Sequence, residues 1–444
     1  MELLWLNFGQ CGLQIADTYW TNLANNFTKN FSENGSHTSF YTTGKDVGID
    51  VKKPKLSSLK PRCLVIDTET ITSDEILINS KHSLLTKDNV LTDNGSHGGN
   101  FMTVFNNLGQ KYWKSIQRYV FNMMEKCDHF EYFNLTLGVG GSSGSALGAY
   151  TAQMLSQLYP KIPIITNIVD DENTSPVASY NTLFSLSVLQ EHSTMIIPFS
   201  NNNIIESIKK TTDITFKSGS KDYFNPINSV ISNFLQEFNN VTVFPDSRFN
   251  RIDIIKNSLL PFQNMNYTCP LKSPVVEPRP NCKYHLDQLY EDLFIGDTRI
   301  SPIPTHSDML PITISILNGG NYRNLKYSIT HKMRNGTFTW NKEEPKSSTH
   351  DIGEDFKPIT TRHPLVALSN HTGISHYLDK VCDNVESLVH RNAFLHQFEG
   401  MIDNEEIYYK MMKLRETSQM CKQQDAMIKK QFRDVDLKHE RTSP

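Results

Sequence analysis

Residues Gly138 to Gly148 read Gly-Val-Gly-Gly-Ser-Ser-Gly-Ser-Ala-Leu-Gly. They follow an apolar run, Tyr132 to Leu137, and open a helical pattern with Leu147, Tyr150, Met154 and Leu158 about one turn apart. A strand that enters a helix through such a loop is a phosphate-binding geometry. Glycines let the backbone approach an anion, and the free N–H groups of a helix start point at it. The hydroxyls of Ser142, Ser143 and Ser145 add potential donors. Three readings stay open for the loop alone. In order, they are a tight turn with no ligand, a phosphate site, and an esterase nucleophile elbow, because Gly140-Gly141-Ser142-Ser143-Gly144 is literally G-x-S-x-G. A Walker A loop is excluded, since no Lys-Ser or Lys-Thr follows the glycines. The dinucleotide fingerprint fails as well, with Ser143 standing where its third glycine belongs.

The chain has 444 residues, enough for two or three packed units with real cores. A net charge of -3 favours neither nucleic acid nor an anionic membrane as a partner. No apolar run reaches the roughly 20 residues that span a bilayer. Met1 to Phe8 is too short for a signal peptide and carries Glu2 where positive charge is wanted. Seven cysteines, none in a C-x-x-C pair, suggest reduced thiols in a cytosolic compartment. The Asn-x-Ser/Thr triplets at Asn94 and Asn335 read as accidents of an Asn-rich chain.

Strand-like and helix-like patterns alternate through the first half. Apolar runs at Leu3–Leu6, Cys63–Ile66, Tyr132–Leu137, Ile162–Val169 and Met195–Phe199 are separated by helical stripes. These stripes run from Ile15 to Leu23, from Phe105 to Met123, from Leu147 onward and from Leu183 to Leu189. That alternation predicts a parallel, doubly wound α/β sheet with its ligand beyond the C-terminal strand ends. Polar inserts at about 29–60 and 80–100 read as surface loops. After a helix bearing Ile227, Val230, Ile231, Leu235 and Phe238, runs at Leu310–Leu317, Phe338–Trp340 and Leu365–Leu368 predict a second α/β unit with its own sheet. A helix with Leu378, Val381, Val385 and Leu388 follows, and then a polar one over about Asn404–Phe432.

Several motifs agree in order. Gly9-Gln10-Cys11-Gly12-x-Gln14-Ile15 follows the first strand, Leu64-Val65-Ile66-Asp67-Thr68-Glu69 closes the second, and Gly98-Gly99-Asn100 precedes a helix. Ser179-Tyr180-Asn181, then Asn202, Phe224 and Asn228, and finally Arg391-Asn392-Ala393-Phe394-Leu395-His396 complete the set. Together with Gly140 to Ala146, which resembles Gly-Gly-Gly-Thr-Gly-Ser-Gly, they resemble the tubulin superfamily from residue 2 to about 430. The tracts Leu259-Leu260-Pro261, Ala367-Leu368-Ser369-Asn370 and Phe394-Leu395-His396-Gln397-Phe398 are similar to δ-type tubulins. Lys429 to Pro444 lacks the Glu-rich tail of α- and β-tubulin. The resemblance implies a nucleotide-binding domain over 1–218, a core connecting helix over 219–240, an intermediate α/β domain over 241–375 and a C-terminal helical region over 376–444.

The resemblance also implies GTP/GDP and Mg²⁺ as ligands. Backbone N–H groups of Gln10, Cys11, Gly99, Asn100, Gly141, Ser142, Ser143, Gly144 and Ser145 would hold the phosphates, with Gln10 near the metal as well. Asp67 and Glu69 would hold magnesium, directly or through water. Asn202 and Asn228 would read the guanine edge, and Phe224 would stack on it. The plain alternatives are solvated carboxylates for Asp67 and Glu69, core packing for Phe224 and a small filler for Cys11.

Some positions depart from the family. Leu13 replaces an Asn, Ser142 and Ala146 replace glycines, and Ala178 replaces a Glu near the ribose. If the position of Ser142 demands φ > 0, it carries strain. The Glu that activates water from a neighbouring α-tubulin aligns with Ile254, beside Asp253. Asp253 would serve as catalytic carboxylate only with a one-residue slip, so hydrolysis is expected to be slow or absent.

The expected partners are α/β-tubulin or other tubulin-family subunits through longitudinal contact, with neither nucleic acid nor membrane. The expected setting is the cytoplasm and cytoskeleton, at centriole or basal body. Two rivals remain: a degenerate tubulin-fold scaffold without nucleotide, and a serine hydrolase using Ser142 with a late His such as His331, His350, His363 or His371.

Overall fold

The computed structural model describes residues 2–30, 40–43, 59–70, 85–93, 99–172, 175–214, 222–243, 252–262, 264–276, 299–304, 311–318 and 364–442, with a few one- and two-residue pieces between them. Among these, a six-stranded parallel sheet forms the centre: β1 (Glu2–Phe8), β2 (Cys63–Asp67), β3 (Val90–Thr92), β4 (Phe130–Gly138), β5 (Ile164–Asp170) and β6 (Met195–Ser200). Their order across the sheet is β3-β2-β1-β4-β5-β6. The chain runs from β1 outward to one edge, returns to β4, and continues to the other. The direction reverses between β1 and β4, whose C-terminal ends are level, with Phe8 paired to Leu137. In open α/β sheets that reversal opens a crevice for a ligand.

Helices cover both faces because the strands alternate their side chains between two cores. Leu4, Leu6 and Phe8 join Phe133, Leu135 and Leu137 in one cluster, under α2 (Gly109–Met124), α3 (Ser142–Leu158) and α4 (Pro176–His192). Leu3 and Trp5 join Tyr132 in the other, under α1 (Gly9–Asn30), α5 (Asn201–Thr211) and α6 (Asn225–Val243). The strands also carry buried polar groups that satisfy one another across the sheet. Asn167 Nδ2 donates to Asn134 Oδ1 at 2.7 Å and to Thr136 Oγ1 at 3.1 Å. Trp5 Nε1 donates to Thr136 Oγ1 at 2.7 Å, and the Tyr132 hydroxyl donates to Asn239 of α6 at 3.0 Å. Left unpaired, each such group would cost about 1–3 kcal/mol.

After α6 come α7 (Ile252–Leu259) and an antiparallel sheet of β7 (Cys269–Ser273), β8 (Pro311–Asn318) and β9 (Leu365–His371), ordered β8-β9-β7. The two sheets meet at their edges, where Thr268 N–H donates to the Ile196 carbonyl and Ile196 N–H to that of Asn266. Helices α8 (Ile374–His390) and α9 (Asn404–Thr442) then pack against α4. Gln190 of α4 donates to Thr417 of α9 at 2.7 Å. No described helix is long and apolar enough to cross a membrane.

The fold is therefore α/β with a doubly wound parallel sheet and C-terminal helices, as the alternating runs predict. Three details differ. The insert at 80–100 is not all loop, because Val90–Thr92 becomes edge strand β3. In the insert at 29–60, Tyr41–Thr43 pairs antiparallel with Leu59–Pro61. Helix α3 begins at Ser142, inside the glycine loop, rather than after it. The expected strand at Phe338–Trp340 lies outside the described residues.

Candidate functional site

Three strand ends build the site. Gly9 ends β1 with φ +67°, a left-handed conformation that suits glycine. A Cβ on Gly9 would lie 2.8 Å from the Gly144 Cα, and one on Gly144 would lie 2.8 Å from the Phe8 carbonyl oxygen. The first loop and the signature loop thus touch backbone to backbone, at the crevice between β1 and β4. Gly138 is closed by Cys11, whose Cβ lies 3.2 Å from an added Cβ there. Gly141 and Gly99 differ: a Cβ on either would meet nothing within 4 Å. The tight glycines serve packing, and the open ones border space.

Gly141 is the N-cap of α3, so no side chain caps that helix start. The first N–H groups of α3, at Ser142, Ser143 and Gly144, are left for a ligand. Ser142 lies inside the helix and is not among the positive-φ residues, so the strain its position raised does not arise. Ser145 is fully buried, and its hydroxyl donates to the Gly141 carbonyl, which removes it from the potential ligand donors. The Ser143 and Thr68 hydroxyls share a 2.5 Å hydrogen bond that fastens the β2 loop to α3. Gln10 is exposed in the first turn of α1, and Cys11 behind it is half-buried. Burial, and secondarily the Asp171 carboxylate, push the Cys11 thiol up to about 12, so it behaves as a neutral filler.

Asp67 ends β2 with 5% exposure, and its Oδ1 accepts from Thr68 N–H at 2.7 Å. Burial pushes its carboxyl up to about 6, against the opposing pull of the Thr68 and Glu69 N–H groups. Among the described residues no cation pairs with Asp67, and none of the loops Gly9–Gly12, Gly99–Asn100 and Gly138–Ser145 carries a Lys or Arg. A buried carboxylate without a counter-charge, beside a cationless nest of N–H groups, would suit a divalent cation bound together with an anion. Glu69 is exposed on the following loop.

Asn100 caps the short helix Phe101–Thr103, its Oδ1 accepting from Met102 N–H at 2.8 Å. Its Nδ2 donates to the Gln397 carbonyl at 2.6 Å, so the side chain is committed to the fold of the loop. Gly98 lies outside the described residues. Asn202 sits half-buried in the first turn of α5, at the end of β6. Phe224 is half-buried beside Tyr223, with ring centroids 5.0 Å apart, and its carbonyl accepts from Asn228 N–H as α6 begins. Asn228 is buried, and its Nδ2 donates to Gln14 Oε1 of α1 at 3.4 Å.

Three residues were quoted in motifs, or passed over, without a role. Gln14 reaches Asn228. Asp171, just beyond β5, has its carboxyl raised by burial and drawn back by the Asn201 amide. Asn181 of α4 joins the third loop to the signature loop, donating to the Gly99 and Gly140 carbonyls at 3.0 and 3.1 Å. A buried Asn on a helix is unremarkable in sequence, and only the fold brings its partners to it.

Asp253 does not join this constellation. It is exposed on the first turn of α7, which packs against the second sheet, and the side chain of Ile254 lies outside the described residues. Of the histidines offered to the hydrolase reading, only His371 lies among the described residues. His371 is held neutral by burial, its pKa lowered to about 3, and its Nδ1 accepts from Gly373 N–H. His331, His350 and His363 lie outside the described residues.

Loops at the C-terminal ends of β1, β2 and β4, meeting two helix N-termini at a topological switch point, define a protein of the nucleotide-binding α/β class. Comparison with known proteins narrows this. Residues 2–209 match the family model "Tubulin/FtsZ family, GTPase domain". The chain is 25% identical to the tubulin epsilon chain of Mus musculus over 433 residues, 88% of each chain. It is 22% identical to the tubulin gamma chain of Candida glabrata over 415 residues, 90% of this chain and 88% of that one. To the tubulin beta-3 chain of Echinococcus multilocularis it is 22% identical over 416 residues, 91% of each. Residues 2–209 thus carry the tubulin family's GTPase domain, and over most of its length the chain is similar to tubulins, at a divergent level of identity.

Asp67 yields a pH-dependent prediction. A carboxyl raised from 3.8 to about 6 destabilises the metal-free native state when charged, because the folded chain holds the proton more tightly than the unfolded one. The cost is complete above about pH 6 and gone below about pH 4, the unfolded value. Asp67→Asn is therefore expected to stabilise metal- and nucleotide-free protein at neutral pH, by on the order of 1–3 kcal/mol. The gain should fade as the pH falls toward about 4. Thermal melts with chelator across that range check it, and an Asn variant less stable at neutral pH would overturn it.

Proposed function

We propose that this chain is a guanine-nucleotide-binding tubulin-family subunit that acts in assembling or capping centriolar or basal-body microtubules. The observation that supports it most is the Gly9–Gly144 contact, which turns two helix N-termini toward one crevice beside a buried, uncompensated Asp67. In this reading Gln10, Cys11, Gly99, Asn100, Gly141, Ser142, Ser143, Gly144 and Ser145 surround the phosphates. Ser145 contributes through the fold of the loop rather than its hydroxyl. Asp67 and Glu69 would hold Mg²⁺, directly or through water, and the ion would supply the positive charge that no lysine in these loops offers to a phosphate. Phe224 stacks on the base, while Asn202 and Asn228 offer it donors and acceptors. Calorimetry with GTP and Mg²⁺ tests this. Binding that depends on magnesium is expected, and Phe224→Ala should weaken it by roughly 0.5–1.5 kcal/mol. Folded protein without affinity for GTP or GDP would sink the reading.

Hydrolysis should be slow. Ile254 stands where the resemblance puts the family's activating Glu, and Ile cannot polarise water. Loss of a positioned general base costs about 10²–10⁴-fold. In single-turnover assays, Asp253→Asn should leave the rate of the isolated chain unchanged. Brisk hydrolysis that disappeared in this variant would instead make Asp253 the catalytic carboxylate.

The cellular setting and partners rest on the δ-type tracts and on the similarity to epsilon chains over most of the length. The partners are α/β-tubulin or other tubulin-family subunits, met through the longitudinal faces. Tagged protein in a ciliated cell should concentrate at basal bodies or centrioles at low abundance. Uniform labelling of cytoplasmic microtubules, or intact basal-body triplets after deletion, would refute this role.

A further inference from the structure

Asn181 is 1% exposed in α4, and its side-chain amide is fully engaged. Nδ2 donates to the Gly99 carbonyl at 3.0 Å and to the Gly140 carbonyl at 3.1 Å, and Oδ1 accepts from Phe101 N–H at 3.0 Å. The orientation of the amide follows from its partners, since carbonyls only accept and an N–H only donates. The two carbonyls belong to peptide groups whose N–H groups are those of Asn100 and Gly141. In a planar trans peptide, C=O and N–H point in opposite directions. Holding both carbonyls toward Asn181 therefore aims the N–H groups of Asn100 and Gly141 away from it. Both peptides border open space, because Gly99 and Gly141 are the site glycines on which a Cβ would meet nothing within 4 Å.

We infer that Asn181 is the positioning residue of a polyphosphate cradle: one buried amide presets the aim of two backbone donors on loops from different strands. The donors are then fixed before the ligand arrives, so little reorganisation is needed when charge enters. The inference rests on the nucleotide-binding reading for the phosphates but not for the base, so the two can be tested apart. A residue that merely staples the loops would lower stability and weaken every ligand alike. A residue that aims donors weakens ligands in proportion to their phosphate and leaves the nucleoside alone.

The experiment compares full-length wild type, Asn181→Ala and Tyr180→Phe by calorimetry against guanosine, GTP and inorganic tripolyphosphate with Mg²⁺, with a thermal melt of each. Tyr180→Phe is the control for lost stability: it removes a neighbouring hydroxyl of the same helix, which donates to the Ala393 carbonyl at 2.9 Å. Asn181→Ala is expected to weaken GTP and tripolyphosphate by about tenfold or more while guanosine stays within about twofold. Tyr180→Phe should lower the melting temperature and leave all three affinities as they are. If Asn181→Ala does not fold, Asn181→Ser is read the same way, its single hydroxyl being too short to hold both carbonyls. Unchanged phosphate affinity, a parallel loss for all three ligands, or a wild type that binds neither GTP nor tripolyphosphate overturns the inference. A wild type that binds tripolyphosphate as tightly as GTP and has no affinity for guanosine removes the guanine reading and leaves the Asn181 inference standing.

Discussion

The site depends on one contact between two residues without side chains. Gly9 and Gly144 press backbone on backbone where β1 and β4 end, at a separation no Cβ could share. Helix α1 starts at Gly9, and α3 starts two residues before Gly144. Their N-termini converge because the loops touch, and the positive ends of two helix dipoles then face the same space. A larger residue at either position would spread the loops, and the donors of one helix would no longer serve the ligand of the other. The other ties add to this contact: the Thr68–Ser143 hydroxyl bridge brings in the β2 loop, and Gln14–Asn228 brings in α6.

Much of this was legible in the chain. The strands that build the crevice are apolar runs separated by helical stripes, because a strand buried on both faces must be apolar almost throughout. What stayed hidden has physical reasons. Val90–Thr92 is too short to show a period and becomes a strand only by pairing with β2. Helix α5 opens with Asn201, Asn202 and Asn203, residues that favour caps and turns, and Ser200 makes the start viable by accepting from Asn203 N–H. The different duties of the glycines were also invisible. In sequence Gly141 and Gly144 are equivalent, yet one borders open space and the other is clamped against Phe8. Asn134, Thr136 and Asn167 lie inside runs that read as apolar, and they form one hydrogen-bonded group that exists only once β4 and β5 are adjacent.

The departures from the family pattern lose much of their weight once they are placed. Ser142 and Ala146 stand for glycines, but both lie in regular helix, where an L-residue with a small side chain is unstrained and a glycine is less favourable. Ala146 is buried in the core and keeps α3 close to the sheet. Ala178 lacks a carboxylate, yet the turn around it is well formed. Ser175 accepts from Ala178 N–H, and Pro176 occupies the first turn. Of these changes, only the one at Ala178 removes a charged group. Asp171, on the same connection between β5 and α4, retains a carboxyl in that region.

The last link runs to the far end of the chain. The segment Arg391–Gln397 was quoted as a family marker with no physical duty, and it turns out to brace the third loop. Asn392 and Phe394 adopt left-handed backbone, with φ of 49° and 61°, which a bulky aromatic rarely accepts. Such a conformation persists only where its surroundings over-determine it. Here Ala393 N–H donates to the Leu388 carbonyl, Gln397 N–H donates to that of Phe394, and the Tyr180 hydroxyl donates to the Ala393 carbonyl. Asn100 closes the circuit by donating to Gln397. Adjacent residues on α4 therefore face two ways: Tyr180 holds the C-terminal segment, and Asn181 holds the loops at the crevice. The two sets of contacts share one helix, but the Tyr180 hydroxyl donates to Ala393 while the Asn181 amide holds the Gly99 and Gly140 carbonyls. The segment meets the third loop at the Gln397 carbonyl, just past the motif, and the left-handed residues before it set the turn that presents this carbonyl to Asn100.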